Sequence, residues 1–302
     1  MVTPPSAILD WVSALTGSTA VPAGEPLAGA STATIWPVRA DAEQVIVKVY
    51  DLGIEEIGAD DVERDARAMR AAAELGLTAP RLLAEDPLGE RLGDPAIVMT
   101  RLAGEPRAHG RDDPDGWVDG LADVLIAVAQ ARRPAQWLHD RRPWFHLPVE
   151  PPSWAGDPGP WRSMNDMLAA PLPSGPIGFI HRDFHPLNVV WDGGSPVGLV
   201  DWVNGCLGPI ESDIACCRFN IASADDGLDG LALADRFLQR CLDAGLAWHP
   251  LWDLEWLASA GDIHRMVAAN VSLGADSTVP CAADRFDEMA RRAVAASEAW
   301  NG

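Results

Sequence analysis

The sequence predicts an α+β fold in two lobes, a small antiparallel sheet followed by a larger and mostly helical part. Strand-like apolar runs flank Lys48 and recur at Ala96-Ile97-Val98-Met99, whereas helical periodicity dominates from Trp117 onward. Between them, Thr100-Arg101-Leu102-Ala103-Gly104-Glu105-Pro106 ends regular structure with Gly and Pro. At 302 residues and 48% hydrophobic, the chain reaches the size at which one core begins to divide. The expected boundaries are 1–100 for the first lobe, 101–105 for a hinge and 106–302 for the second lobe.

From Leu27 to Tyr50 the pattern reads strand, turn, strand. A small-residue loop (Gly29 to Thr34) leads into Ile35 to Val38, a turn follows at Ala40 to Ala42, and Val45-Ile46-Val47-Lys48-Val49-Tyr50 completes a hairpin. Asp60 is expected to cap a helix running to about Leu75, with Glu63 completing a capping-box-like pair and Gly76 ending it. Its apolar face is Val62, Ala66, Met69 and Ala73. Asp65 falls on that face, while Glu63 points toward Arg67 and Arg70. An inward carboxylate needs a cation; Lys48 is the candidate, and Glu63 stays open as the alternative partner.

Further helices are expected over Trp117–Ala131, Ser212–Ala222, Leu228–Ala244, Leu251–Ala260, Ile263–Asn270 and Ala283–Trp300. The stretch Arg142–Pro176, rich in Pro and Trp, reads as an ordered but irregular insertion. Trp248, Trp252 and Trp256 recur at helical spacing, as core residues do. No internal repeat is present.

The net charge of −21 argues against nucleic acid as partner, since such binding depends on clustered Lys and Arg. It would attract a cationic small molecule instead. Asp225, Asp226, Asp229, Asp253, Glu255 and Asp262 are the acids from which such a pocket could be built, Asp226 and Glu255 foremost; solvated helix faces and caps are the plainer explanation. The five cysteines form no CxxC pair and are flanked by apolar residues, as free thiols in a reducing cytoplasm are. No apolar run approaches the roughly 18 residues of a membrane span, and Met1 to Leu9 lacks a basic leader region, so neither membrane nor secretion is expected.

Lys48 is the only lysine among 23 basic residues. In a chain whose other cations are all guanidinium, a single compact ammonium in an apolar strand marks a place that needs a point charge on a slim stem. The second informative stretch is Ile180-His181-Arg182-Asp183-Phe184-His185-Pro186-Leu187-Asn188, followed across a Gly- and Asp-rich turn by Leu199-Val200-Asp201-Trp202. With the turn centred on Gly194 and Ser195, a hairpin brings Asn188 and Asp201 together at its open end. An amide oxygen beside a carboxylate suits Mg²⁺, a hard cation that keeps waters and bridges phosphates. Asp183, on the loop entering the same end, can orient a hydroxyl and accept its proton, and Lys48 can clamp phosphates. His181 is read as structural support of this loop; His185 stays undecided.

The run His181-Arg182-Asp183 with Asn188, then Asp201-Trp202, resembles the aminoglycoside phosphotransferase and choline kinase family of protein-kinase-like enzymes. The resemblance covers nearly the whole chain. It implies a protein-kinase-like fold with a nucleotide-binding first lobe. It also implies ATP and Mg²⁺ as cofactors, with GTP as a substitute left open, Lys48 on the nucleotide phosphates and paired to Asp65 where the family more often carries Glu. Ser31 and Thr32 would lie in the phosphate-covering loop, and Thr100 to Leu102 would form the hinge that reads adenine. Asp183 would be the catalytic base, Asn188 and Asp201 the magnesium ligands, and Asp213 the brace of the catalytic loop.

The acceptor this implies is a small-molecule hydroxyl, foremost an aminoglycoside or related antibiotic or amino sugar; a metabolic acceptor such as choline, homoserine, fructosamine or a sugar is the alternative. A nucleotide-binding pseudokinase is a further one, against which the intact Lys48, Asp183, Asn188 and Asp201 stand. Trp202-Val203 after Asp201, in place of Phe-Gly, speaks against a protein kinase. GxxxxGK[ST] and GxGxxG are both missing, which excludes the P-loop and Rossmann alternatives.

Overall fold

The computed structural model describes residues 3–27, 33–51, 59–131, 133–135, 138–260, 262–272 and 274–300. Helix α1 (Ser6–Thr16) opens the chain and stops at Gly17, whose φ of 71° is one that glycine adopts without a Cβ penalty. Its Ile8, Trp11 and Val12 are buried with Trp36, Val38, Val45 and Val47 in one apolar cluster. Ile8, Trp11, Val12 and Leu15 have the i, i+3, i+4, i+7 spacing that announces such a helix, although no element was expected before Leu27.

Strands β1 (Ala20–Pro22), β2 (Ala33–Ala40) and β3 (Glu43–Tyr50) follow, then α2 (Ala59–Glu74), β4 (Leu82–Asp86) and β5 (Ala96–Thr100). The sheet order is β1-β2-β3-β5-β4, antiparallel throughout. Lys48 sits opposite Ile35 on one side and Ile97 on the other. Strand periodicity sends Val45 and Val47 to the face covered by α1, and Ile46, Lys48 and Tyr50 to the face toward α2. A slip of one residue would put Lys48 into the α1 cluster, so the hairpin register itself delivers the lysine to its site.

Helix α2 departs from expectation at its start. It already includes Ala59, so Asp60 lies inside the first turn with Asp61, where acids favour the helix dipole, rather than at the cap. Ala73 is exposed, and the buried face runs through Val62, Asp65, Ala66, Met69 and Ala72. Glu63 pairs with Arg67 at 2.6 Å on the surface.

The chain then crosses into the second part through Gly104 (φ 103°), where a Cβ would stand 2.1 Å from the Trp191 carbonyl oxygen. Strand β6 (Glu105–Pro106) precedes α3 (Pro114–Gln130), which is capped by Asp113 and buries Trp117, Leu121, Leu125 and Val128. The segment expected to be irregular contains α4 (Pro158–Leu168), capped by Asp157 with Pro158 at its first position. Trp161, Met164 and Leu168 bury its inner face, a periodicity that the surrounding prolines mask.

Strands β7 (Ile177–Ile180), β8 (Val189–Asp192), β9 (Ser195–Leu199) and β10 (Cys206–Pro209) build two small antiparallel units, β10-β7 and β6-β8-β9. The β8-β9 turn is Gly193-Gly194, with φ of 55° and 90°, one residue earlier than the expected centre. A register shift between Val190 and Trp191 moves the pairing by one residue, so Val189 faces Leu199 and Asn188 falls opposite Val200, one position before Asp201.

Helices α5 (Glu211–Ala222), α6 (Gly230–Asp243), α7 (Leu251–Ser259), α8 (Ile263–Ser272) and α9 (Val279–Ala299) complete the fold. Every residue of α5 except Asn220 is buried, and α6, α7 and α9 pack around it. Trp252 is buried, Trp256 stacks on Phe219 at 4.4 Å, and Trp248, which precedes α7 and lies against Arg218, packs on the same core. The cysteines are free, four buried and Cys281 partly so, and burial pushes the Cys206 thiol up to about 11. Among the described residues no helix is long and apolar enough to cross a membrane.

Candidate active site

Lys48, Asp65 and Asp201 meet at the base of a cleft of about 570 Å³ between the five-stranded sheet and the second part. The Lys48 ammonium is buried, 2.9 Å from Asp65 Oδ2 and 2.8 Å from Asp201 Oδ1. Tyr50, the chain's only tyrosine, donates its hydroxyl to the same Asp65 oxygen at 2.6 Å. Burial works against the charge of Lys48, but the two carboxylates outweigh it and hold the ammonium well above its ordinary range. Burial also opposes ionisation of Asp201, and Lys48 again prevails, keeping that carboxyl low. For Tyr50, burial and then Asp65 push the phenol well up, so it remains a donor. Asp65, and not Glu63, is therefore the helix partner of Lys48.

Asp201 adopts φ 63°, a left-handed conformation that a non-glycine residue keeps only where its surroundings hold it. Trp202 does much of that holding: it is fully buried, stacks on Phe179 at 5.1 Å and donates its indole N–H to Leu199 O at 2.9 Å. Arg182 is likewise left-handed at φ 68°. Its N–H and that of His181 donate to the two oxygens of buried Asp213, at 2.7 and 2.8 Å. Its guanidinium lies over Trp144, 4.0 Å from the ring centroid. Burial lowers the His181 pKa, leaving a neutral ring whose Nε2–H donates to Val200 O at 2.9 Å. His181 thus ties the loop to the residue that follows β9.

Burial pushes the Asp213 carboxyl up to about 7 despite its two N–H donors. Folded Asp213 binds a proton that the unfolded chain has released above about 4, so its contribution to stability falls as pH rises from about 4 to about 7. An asparagine has one carbonyl oxygen for two N–H groups. Asp213→Asn is expected to lose about 1–3 kcal/mol at pH 5 in urea unfolding, and to show a flatter pH dependence of stability between pH 4 and 7 than the native chain.

Asp183 projects into the cleft with its side chain 35% exposed. Asn188 ends a single 3₁₀ turn, His185 to Asn188, in which its N–H donates to His185 O at 3.0 Å. Its carbonyl accepts from Val200 N at 2.9 Å, which brings Asn188 beside Asp201. Its side-chain Nδ2 donates to Asp183 O at 3.0 Å and lies 3.1 Å from His185 Nε2, so both amide protons are committed and Oδ1 is left to accept. Asp201 has one oxygen on Lys48, and its side chain is 34% exposed to the cleft. Lys48 offsets one of the two carboxylate charges around it and leaves one over. Oxygen donors from Asn188 and Asp201 with residual negative charge fit Mg²⁺, which needs few protein ligands. Among the described residues no cluster of three His, Cys, Asp or Glu could cage a metal.

Thr100 and Leu102 line the cleft, with the Arg101 N–H between them donated to Gln44 O at 3.2 Å. Ser31 and Thr32 lie outside the described residues. Asp226 and Glu255 do not reach the cleft: Asp226 accepts from Leu228 N at 3.1 Å, and Glu255 is buried against Arg141. Glu255 instead lines a second cavity with Arg141 and Trp252. The reading of the residues missed Tyr50, Asn204 and Asn270, all on the cleft wall. For Tyr50 a signal existed, two positions from Lys48 on one face of a strand; α8 brings Asn270 there only through tertiary packing.

A strand lysine paired to a helix carboxylate, facing an Asp-Asn-Asp set across a cleft, defines the class of kinase-like phosphotransferases. The model of the phosphotransferase enzyme family (APH) matches residues 23–257, and the chain belongs to that family. Solved structures share the fold over their whole length. Aminoglycoside phosphotransferase APH(4)-Ia superposes with a TM-score of 0.63 at 15% identity, over 95% of this chain and 98% of that one. Choline kinase LicA from Streptococcus pneumoniae gives 0.59 at 14% identity, covering 98% and 99%. Macrolide 2'-phosphotransferase MphH from Brachybacterium faecium gives 0.55 at 17% identity, covering 89% and 97%. No curated protein matches the sequence.

Proposed function

We propose that this chain transfers the γ-phosphoryl group of ATP to a hydroxyl of a small molecule. The observation that carries this is Lys48 held between Asp65 and Asp201 at the base of the cleft that Asp183 and Asn188 also line. Residues 1–100 serve as the nucleotide lobe, 101–105 as the hinge and 106–302 as the catalytic and acceptor lobe. APH(4)-Ia, of the same fold, has been crystallised with ADP and with AMP-PNP, each beside hygromycin B.

In this mechanism Lys48 binds nucleotide phosphate, held in place by Asp65 and through it by Tyr50. Asn188 Oδ1 and the Asp201 carboxylate hold Mg²⁺, which when bound neutralises phosphate charge. Asp183 orients the acceptor hydroxyl and takes its proton as the oxygen bonds to the γ-phosphorus and the bond to the β–γ bridging oxygen breaks. ADP leaves, and no phosphoenzyme forms. An aminoglycoside or related antibiotic or amino sugar is the leading acceptor, a metabolic alcohol the second. Five unpaired cysteines fit a reducing cytoplasm.

The test is ADP release with Mg-ATP across aminoglycosides, macrolides, choline, homoserine and sugars. Acceptor-dependent release by the native chain and not by Asp183→Ala supports the assignment. Release that Asp183→Ala retains in full would sink it.

A further inference from the structure

We infer that His185 is a positioning residue that fixes the side-chain amide of Asn188 with its nitrogen on the Asp183 carbonyl and its oxygen left free to accept. The inference rests on the proposed role of Asn188 as a magnesium ligand and assigns His185 a part in building that site.

A metal accepts only the oxygen of an asparagine amide, so the group must not rotate by half a turn and present its nitrogen. Two acceptors prevent that. The Asp183 carbonyl oxygen takes one Nδ2 proton at 3.0 Å and His185 Nε2 lies 3.1 Å from the same nitrogen. The carbonyl can only accept, so the atom facing both is Nδ2, and the imidazole nitrogen facing an N–H must present its lone pair. The Nε2 lone pair of His185 therefore faces the Asn188 amide nitrogen.

The chain geometry supports the same assignment. His185 O accepts the Asn188 N–H at 3.0 Å, and Pro186 fixes φ at the next position, so the three-residue turn holds ring and amide on one side. The ring is only 14% exposed, and the Asp183 carboxylate stands 3.8 Å from Nε2, beyond hydrogen-bond reach. The Asn188 amide lies within hydrogen-bonding distance of the ring at 3.1 Å. Without it the amide keeps one acceptor, and rotation forfeits one hydrogen bond instead of two.

The experiment is Mn²⁺ binding, read by electron paramagnetic resonance with AMP-PNP present, for the native chain, His185→Phe, His185→Gln and Asn188→Ala. Phe keeps a ring but no acceptor; Gln carries an amide oxygen near the position of Nε2. His185→Phe is expected to weaken Mn²⁺ binding by roughly 10- to 100-fold, the usual effect of losing an outer-shell partner, and His185→Gln to recover most of it. AMP-PNP affinity in EDTA should be equal in all four. Native Mn²⁺ affinity in His185→Phe, or an equal loss in His185→Gln, would overturn the inference, the second outcome by showing that ring shape is what matters. Native affinity in Asn188→Ala would instead place the error in the magnesium site, and the role of His185 would fall with it.

Discussion

Asp183→Ala is expected to lower turnover by roughly 10²- to 10⁴-fold while ATP affinity stays close to native, the mark of a lost general base. The structure supplies the reason for the split. Asp183 is partly exposed, the approach of its carboxylate to His185 at 3.8 Å is beyond hydrogen-bond reach, and its backbone carbonyl still receives the Asn188 amide when the side chain is removed. The loop is braced elsewhere, by Asp213 on His181 and Arg182. The check is single-turnover kinetics beside equilibrium titration with AMP-PNP. A matching fall in both would mean that the loop had collapsed rather than lost its base.

Lys48→Met should act on stability and activity together. It leaves Asp65, 2% exposed, with the Tyr50 hydroxyl but no cation beside it, and breaking a buried pair from one side costs about 3–5 kcal/mol. The stranded carboxylate escapes by binding a proton, so its folded pKa rises above the unfolded value. A raised carboxyl loses stability as pH rises, so the deficit relative to the native chain should be smaller at pH 5 than at pH 8. Replacing the partner too, as Lys48→Met with Asp65→Leu, should restore much of the stability without restoring phosphoryl transfer, because an apolar pair tolerates burial but binds no phosphate. Urea unfolding at both pH values separates the two effects, and a deficit below about 1 kcal/mol at pH 8 would show that the buried pair carries little.

Much of this site is local in the chain and was legible there. The Lys48 strand, the loop from His181 to Asn188 and the β8-β9 hairpin are short-range patterns in which spacing dictates geometry. The helices of the second part follow from apolar periodicity and end within a few residues of expectation, as α5 and α7 show. Legibility failed where two signals overlapped or where only long-range packing decides. Prolines at 158 and 160 read as breakers, although Pro158 at the first helical position starts α4. The acids near the chain's end suggested a cationic pocket, yet Glu255 and Asp253 are buried against Arg141 and Arg218, arginines remote in sequence. Charge composition cannot tell a free carboxylate from a neutralised one.

The contact between Lys48 and Asp201 joins residues 153 positions apart, one on the sheet and one beyond it. Because Lys48 is the chain's single lysine, amine-acylating reagents have one side-chain target, and that target is a buried ammonium with no free electron pair. Acylation at Lys48 must wait for the cleft to open and the ammonium to lose both partners and its proton. Its rate is thus a built-in chemical clock for opening, with the acyl group itself as the mass label.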